Sequence, residues 1–220
     1  MFDKIETPKL ILDKSRFEHN AETFLTRAKE QVVLLRPHLK TGKSLDVAQI
    51  ATGGRMSGVT VSTLKEAEYF AENGFSDILY STGISTNKLG HVQKIKTHAG
   101  QDITLVTDNL PTAQQACEFA LENQCDLQFL IEVDCGEHRG GLDVEDPDLL
   151  EIARLFDRAP FINLRGVMTH AGHSYSSDKI ETVIQIAEKE RSTVVSAAEK
   201  LSDLGINCEV VSLGSTPTFL

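Results

Sequence analysis

Short apolar runs alternate with longer amphipathic stretches along the whole 220-residue chain. Seven of the runs are rich in β-branched and other apolar residues, which is typical of strands buried on both faces of a parallel sheet. These predicted strands cover residues 32–36, 58–61, 77–80, 103–106, 127–133, 164–168 and 209–211. Apolar residues recur at helical spacing near Ser15 and then in segments 44–52, 64–73, 86–98, 111–122, 147–156 and 178–204. The alternation of strands and helices predicts an α/β protein with a parallel sheet.

Two architectures place helices against such a sheet. A doubly wound sheet often opens with a glycine-rich turn after its first strand, but residues 36–40 read RPHLK and contain no G-x-G-x-x-G. We therefore predict a (β/α)8 barrel of the TIM type, with its chemistry at the C-terminal ends of the strands. Because seven strands are predicted where eight are needed, residues 1–220 are interpreted as one barrel domain truncated after its seventh strand.

Polar side chains follow every predicted strand at the point where it ends. They are Arg36, His38 and Lys40; Ser62 and Thr63; Ser81 and Thr82; Thr107 and Asp108; Asp134 and Arg139; Thr169, His170 and His173; and Ser212, Gly214, Ser215 and Thr216. Singly, a serine, threonine or aspartate at a strand end is often only a helix N-cap. Together they predict a functional rim on the barrel.

Two places on this rim indicate a specific chemistry. Lys40 lies among other cations, and partial burial there would favour the neutral amine that attacks an aldehyde. Residues 212–218 read SLGSTPT and follow the seventh strand, where barrels commonly bind phosphate, although a plain turn has the same composition. A lysine and a phosphate loop together indicate carbonyl chemistry or a pyridoxal-phosphate cofactor.

Five motifs occur along the chain in a consistent order: TPKLILD at 7–13, RPHLKT at 36–41, EVDCGEHRGG at 132–141, GHSY at 172–175 and GSTPT at 214–218. Together they resemble the D-threonine aldolase/D-serine dehydratase family. That family comprises pyridoxal-phosphate enzymes with an alanine-racemase-type barrel and a separate C-terminal β-domain. The family usually has Lys-Thr-His-Lys where this chain has residues 40–43, KTGK, which puts substrate or product handling in doubt rather than cofactor attachment.

The resemblance implies roles for particular residues. Lys40 would form the internal aldimine, and Arg139 would face the pyridine nitrogen, which weakens the electron sink. The remaining cofactor-binding residues implied are His38, His173 and Tyr175 beside the cofactor, and Gly214, Ser215 and Thr216 as the phosphate cup. A divalent metal, Mn or Zn, is expected only with the C-terminal domain, and no metal ligands are predicted in this chain.

The expected activity is that of a lyase acting on D-3-hydroxy amino acids. The sequence does not decide between aldol cleavage and dehydration. An amino-acid racemase of the same fold and a pyridoxal-phosphate-binding barrel without turnover are the alternatives. The resemblance also implies a homodimer for the full-length protein.

Composition and charge bear on which partners the protein binds and on where in the cell it is expected. Twenty-two Lys and Arg against 32 Asp and Glu give a formal charge of −10, which disfavours nucleic acid as a partner. No run approaches the roughly 18 apolar residues of a membrane helix, and the four cysteines show no C-x-x-C spacing. We expect a cytoplasmic protein that binds a small D-amino acid and no membrane.

Overall fold

A computed structural model describes residues 5–219 as a six-stranded parallel sheet that curls into a half-barrel, with helices against its outer face. The strands are β1 (Ser57–Val61), β2 (Ser76–Gly83), β3 (Ile103–Thr107), β4 (Leu127–Glu132), β5 (Ile162–Met168) and β6 (Val210–Ser212). The helices are α1 (Lys14–Glu30), α2 (Leu45–Ala51), α3 (Leu64–Glu72), α4 (Leu89–Ala99), α5 (Leu110–Asn123), α6 (Pro147–Arg158), α7 (Ile180–Asp203) and α8 (Thr216–Phe219). Single 3-10 turns cover Thr86–Lys88 and Gly172–Ser176. None of the helices within residues 5–219 combines the length and apolar character needed to cross a bilayer.

The strand order follows the chain order. Each strand pairs in parallel with the next one, from β1 to β6, and each of these five connections contains an α-helix. In a doubly wound sheet, the order of the strands would instead reverse at a switch point. The parallel α/β architecture predicted from the sequence is therefore confirmed, and six of the seven predicted strands are present.

The prediction of a strand at residues 32–36 is wrong. Val32 has a left-handed backbone with φ of 56°, which interrupts an extended chain, and both Val32 and Leu34 are about nine-tenths exposed. Only the following residues approach the sheet, where the Leu39 N–H donates to the Thr60 carbonyl and the Thr60 N–H to the Pro37 carbonyl, both at 2.9 Å. The described residues thus form an open half-barrel of six strands rather than seven.

Alternation along the strands produces two apolar layers. The larger layer lies between the sheet and the helices, where Phe129 of β4 is fully buried together with Phe70 of α3, Phe156 of α6 and Phe75. A smaller inner cluster is formed by Leu79, Val106, Leu130 and Met168, with Val210 against it. Because this cluster fills the middle of the half-barrel, polar side chains are left to the two ends of the strands.

The N-terminal end of the half-barrel is closed by an ionic network. Asp77 accepts hydrogen bonds from Nη2 of Arg36 at 2.9 and 3.0 Å and from Nη1 of Arg165 at 3.2 Å, and Arg165 also donates to Oγ1 of Thr104 at 3.0 Å. Burial alone would raise the pKa of Asp77, but the two guanidinium groups hold it below its ordinary value. The network joins the segment before β1 to β2, β3 and β5, which leaves the opposite rim for a functional site.

Candidate functional site

The residues predicted for the site follow the C-terminal ends of the strands. His38 and Lys40 follow the segment beside β1, and Arg139 follows β4. His173 and Tyr175 lie in the turn after β5, and the loop 214–218 follows β6. Parallel strands point their C-terminal ends to one edge, so these segments share a rim.

Lys40 lies beside His38, whose imidazole connects neighbouring parts of the rim. The backbone N–H of Lys40 donates to Nδ1 of His38 at 3.2 Å, so Nε2 carries the proton of the neutral ring. Nε2 lies 3.2 Å from Oγ of Ser62 and 3.4 Å from Oγ of Ser81. The residue keeps some exposure at the rim, but burial of the ring and the charge of Lys40 lower the pKa of His38 to about 4. The imidazole is therefore neutral at pH 7.

The two lysines of the segment 40–43 differ in their surroundings. The Nζ atom of Lys43 lies 3.0 Å from Oε1 of Glu66, a carboxylate that is almost fully buried. Lys40 is exposed, and within residues 5–219 no hydrogen bond or ion pair holds its Nζ atom. Of the two amines, only that of Lys43 is held by a carboxylate within the described residues.

The loop 214–218 is held mainly from behind. The Gly214 N–H donates to Oε1 of Glu190 at 3.1 Å, and the Gly214 carbonyl accepts from Nδ1 of His170 at 2.9 Å. Ser215 is buried, with its Oγ 2.8 Å from Oγ of Ser174. Two of the three predicted cup residues thus direct polar atoms into the protein.

Thr216 has a different orientation. Its residue is exposed, and its backbone N–H donates to the hydroxyl of Tyr175 at 3.2 Å. Tyr175 is itself 60% exposed, so this hydrogen bond lies at the surface of the rim, where a ligand can replace it. The structure therefore presents Thr216 and Tyr175 outward.

His170 contacts this loop from the segment after β5, where its Nδ1 donates to the Gly214 carbonyl at 2.9 Å. Lys40 follows a segment beside β1, and the loop 214–218 follows β6. Because all six strands are parallel, both segments lie at the C-terminal edge of the sheet.

Arg139 is tied to the same rim through Glu137. Its Nη1 lies 3.3 Å from Oε1 of Glu137, and the other carboxylate oxygen accepts the Gly172 N–H at 3.2 Å. The Arg139 side chain remains 63% exposed. His173 lies next to this contact, and within the described residues no group hydrogen-bonds its buried Nδ1 atom.

Glu132 is the rim carboxylate with the strongest perturbation. Burial, followed by the nearby charge of Asp108, raises the pKa of Glu132 to about 7, although the charge of Arg139 acts in the opposite direction. Asp108 itself accepts the Gly141 N–H at 2.8 Å. A carboxyl group that is partly protonated at neutral pH can donate as well as accept hydrogen bonds.

Glu190 and Glu132 were not among the sequence predictions. Glu190 interrupts the buried stripe of α7, which otherwise includes Val194, Ala197 and Leu201. A carboxylate where the helical pattern calls for an apolar residue could have indicated that Glu190 is buried and makes specific contacts. The sequence indicated less about Glu132, because alternation places it on the inner face of β4 but does not show how deeply it is buried.

The described residues contain no metal centre that could complement this rim. Between residues 5 and 219, no three His, Cys, Asp or Glu side chains are grouped closely enough to hold a metal ion.

Known proteins resemble the chain over nearly its whole length. A D-threo-3-hydroxyaspartate dehydratase from Delftia sp. (strain HT23) is 40% identical over 217 residues, covering 98% of this chain and 57% of that protein. The solved structure of that enzyme matches with a TM-score of 0.92, over 98% of this chain and 57% of the other. A D-serine dehydratase from Dictyostelium discoideum is 28% identical over 228 residues, with coverages of 98% and 57%.

These relatives support the resemblance drawn from the five motifs, and the chain spans little more than half of their length. The family profile described as "Alanine racemase, N-terminal domain" matches residues 12–220. The chain therefore belongs to the alanine racemase N-terminal domain family.

Proposed function

We propose that this chain is the cofactor-binding barrel of a pyridoxal-phosphate-dependent lyase acting on D-3-hydroxy amino acids, with Lys40 as the residue that holds the cofactor. The observation that carries the proposal is the difference between the two lysines: Lys43 is paired with Glu66, whereas Lys40 is unpaired within the described residues and lies beside the neutral ring of His38. A neutral imidazole adds no further positive charge but accepts a hydrogen bond from the Lys40 backbone, which orients this segment.

The donor set of the rim fits such a cofactor. When bound, pyridoxal phosphate supplies an electron sink for the bonds at the amino-acid Cα. The exposed N–H and hydroxyl of Thr216, with the hydroxyl of Tyr175, are proposed to bind its phosphate. The unpartnered Nδ1 of His173 is a further polar atom that a ligand would satisfy. The guanidinium group of Arg139 is proposed to donate to the pyridine nitrogen.

We propose dehydration rather than aldol cleavage as the reaction. The support is the 40% identity to a D-threo-3-hydroxyaspartate dehydratase, compared with 29% and 27% to proteins named 3-hydroxy-D-aspartate aldolase and D-threonine aldolase. The amine of Lys40 is proposed to remove the proton from Cα and to return it to the Cβ hydroxyl, which would then leave as water. One matching structure is that of a D-threo-3-hydroxyaspartate dehydratase variant in its metal-free form. For the full-length protein we propose a divalent Mn or Zn ion that binds the substrate hydroxyl. We also expect the full-length protein to be a homodimer.

The proposal is tested by product analysis on the protein in its full natural length, with pyridoxal phosphate and Mn²⁺. D-threo-3-Hydroxyaspartate should give oxaloacetate and ammonia, whereas aldol cleavage would give glycine and glyoxylate. Lys40→Ala should abolish the reaction, and Lys43→Ala, the matched control, should bind cofactor normally. Racemisation of the substrate, or cofactor binding without any turnover, would overturn the lyase assignment.

A further inference from the structure

A buried carboxylate on α7 connects the two loops at the phosphate side of the rim. Glu190 is only 1% exposed. Its Oε1 accepts the backbone N–H of Ala171 at 2.7 Å and that of Gly214 at 3.1 Å. Its Oε2 accepts the hydroxyl of Thr218 at 2.8 Å. One side chain thus holds the loop after β5, the loop after β6 and Thr218 of α8.

The surroundings of this carboxylate are unusual for a buried charge. Within residues 5–219, no Lys, Arg or His side chain forms an ion pair with Glu190, so three hydrogen bonds compensate for its lost hydration. Burying a carboxylate is costly unless it is paired or hydrogen-bonded. A leucine or alanine at this position would suit the apolar face of α7, which indicates that the loops depend on the acceptor oxygens.

The same hydrogen bonds set the conformation of the loop. Glu190 turns the Gly214 N–H inward, where Gly214 has φ of +128°. Thr218, held by Glu190, also accepts the Ser215 N–H at 2.9 Å and lies 2.9 Å from Oγ of Ser215. With residues 214, 215 and 218 fixed from behind, Thr216 is left as the outward-facing donor.

We infer that Glu190 is a positioning residue: it holds the loop 214–218 in the conformation that binds the cofactor phosphate. This inference rests on the proposed function. Glu190 contacts the loop and not the cofactor, so its loss should weaken recognition of the phosphate while leaving the reaction of Lys40 with an aldehyde intact.

The experiment compares pyridoxal phosphate with pyridoxal, which lacks the phosphate, as ligands of the 220-residue chain. Binding is followed by visible absorbance, and the ratio of the two dissociation constants is compared between variants, so intrinsic differences between the aldehydes cancel. Glu190→Ala should reduce the affinity for pyridoxal phosphate by about tenfold or more, because hydrogen bonds to a charged group are lost. The affinity for pyridoxal should change by less than about twofold.

Two further variants separate positioning from general destabilisation. Glu190→Gln keeps an acceptor oxygen for the two N–H groups, and Thr218 can accept from its amide, so this variant should restore the wild-type ratio within about threefold. Glu199→Gln, an exposed site on the same helix, is the matched control and should change nothing.

The outcomes distinguish the inference from the proposed function. If the wild-type chain binds neither ligand at Lys40, the proposed function fails. If the wild-type chain prefers pyridoxal phosphate and Glu190→Ala keeps that preference, the positioning role is refuted. The role is also refuted if folded Glu190→Ala loses affinity for both ligands equally. Should Glu190→Ala fail to fold, Thr218→Val decides instead, with a selective loss of about threefold for pyridoxal phosphate supporting the role and an unchanged ratio refuting it.

Discussion

The carboxyl group of Glu132 should make the stability of this chain depend on pH in a predictable direction. Its pKa is 4.5 in an unfolded chain and is raised to about 7 in the fold, by burial first and by Asp108 second. Between these values the unfolded state releases the proton while the folded state keeps it. Stability from this group is therefore complete below pH 4.5 and is lost as pH rises toward 7, with little further change above.

The size of the effect follows from the two pKa values. At about 1.4 kcal/mol per pH unit, the change from pH 5 to pH 8 corresponds to roughly 2 to 3 kcal/mol of unfolding free energy. Glu132→Gln places a neutral group of the same shape at this position and removes the dependence. Relative to wild type, the unfolding free energy of the variant should rise by roughly 2 to 3 kcal/mol between pH 5 and pH 8, measured by urea unfolding at both values.

The control for this experiment is Glu199→Gln, which removes one exposed carboxylate from the chain. It should follow the wild-type pH dependence within the error of the method. If Glu132→Gln and wild type differ by the same amount at pH 5 and pH 8, then Glu132 ionises normally in the fold, and the description of this part of the rim is incorrect.

The remaining predictions concern the frame that supports the rim. Asp77→Ala leaves the guanidinium groups of Arg36 and Arg165 without their shared anion and should lower the unfolding free energy by about 3 kcal/mol in urea titrations; Asp77→Asn, which retains an acceptor, should cost less. Gly166 has φ of +140°, and a Cβ there would overlap the Val210 carbonyl oxygen that lies beside it in β6, so Gly166→Ala should destabilise by at least about 2 kcal/mol. Gly83→Ala, where a Cβ meets nothing within 4 Å, is its matched control and should be near neutral. Equal stabilities of the two alanine variants would contradict the packing of β5 against β6.

The periodic pattern predicted the later strands well because each is buried by elements close to it in sequence. It failed at 32–36, where the same apolar composition is not covered by the described residues: Leu34 is 89% exposed. Hydropathy indicates that a segment tends to be buried, but not which part of a protein covers it. The barrel prediction was correct in its parallel topology and wrong in the number of strands.

The fold places the predicted site residues after the C-terminal ends of parallel strands, as expected, and their roles stay predictions. Lys40 and the loop 214–218 could be picked out from composition and motifs. The sequence did not show that Gly214 donates inward, because its acceptor, Glu190, lies 24 residues earlier on another element. The resemblance singled out Lys40, but the sequence did not show that Lys43 pairs with Glu66 in α3.

The central claim is that Lys40 holds an aldehyde cofactor in the rim of this half-barrel. The most direct measurement is peptide mapping by mass spectrometry after the chain is incubated with pyridoxal phosphate and reduced with borohydride. The account predicts one stoichiometric adduct on Lys40 and none on Lys43, with loss of the adduct in Lys40→Ala. An unmodified Lys40, or an adduct spread over exposed lysines at similar levels, would contradict it.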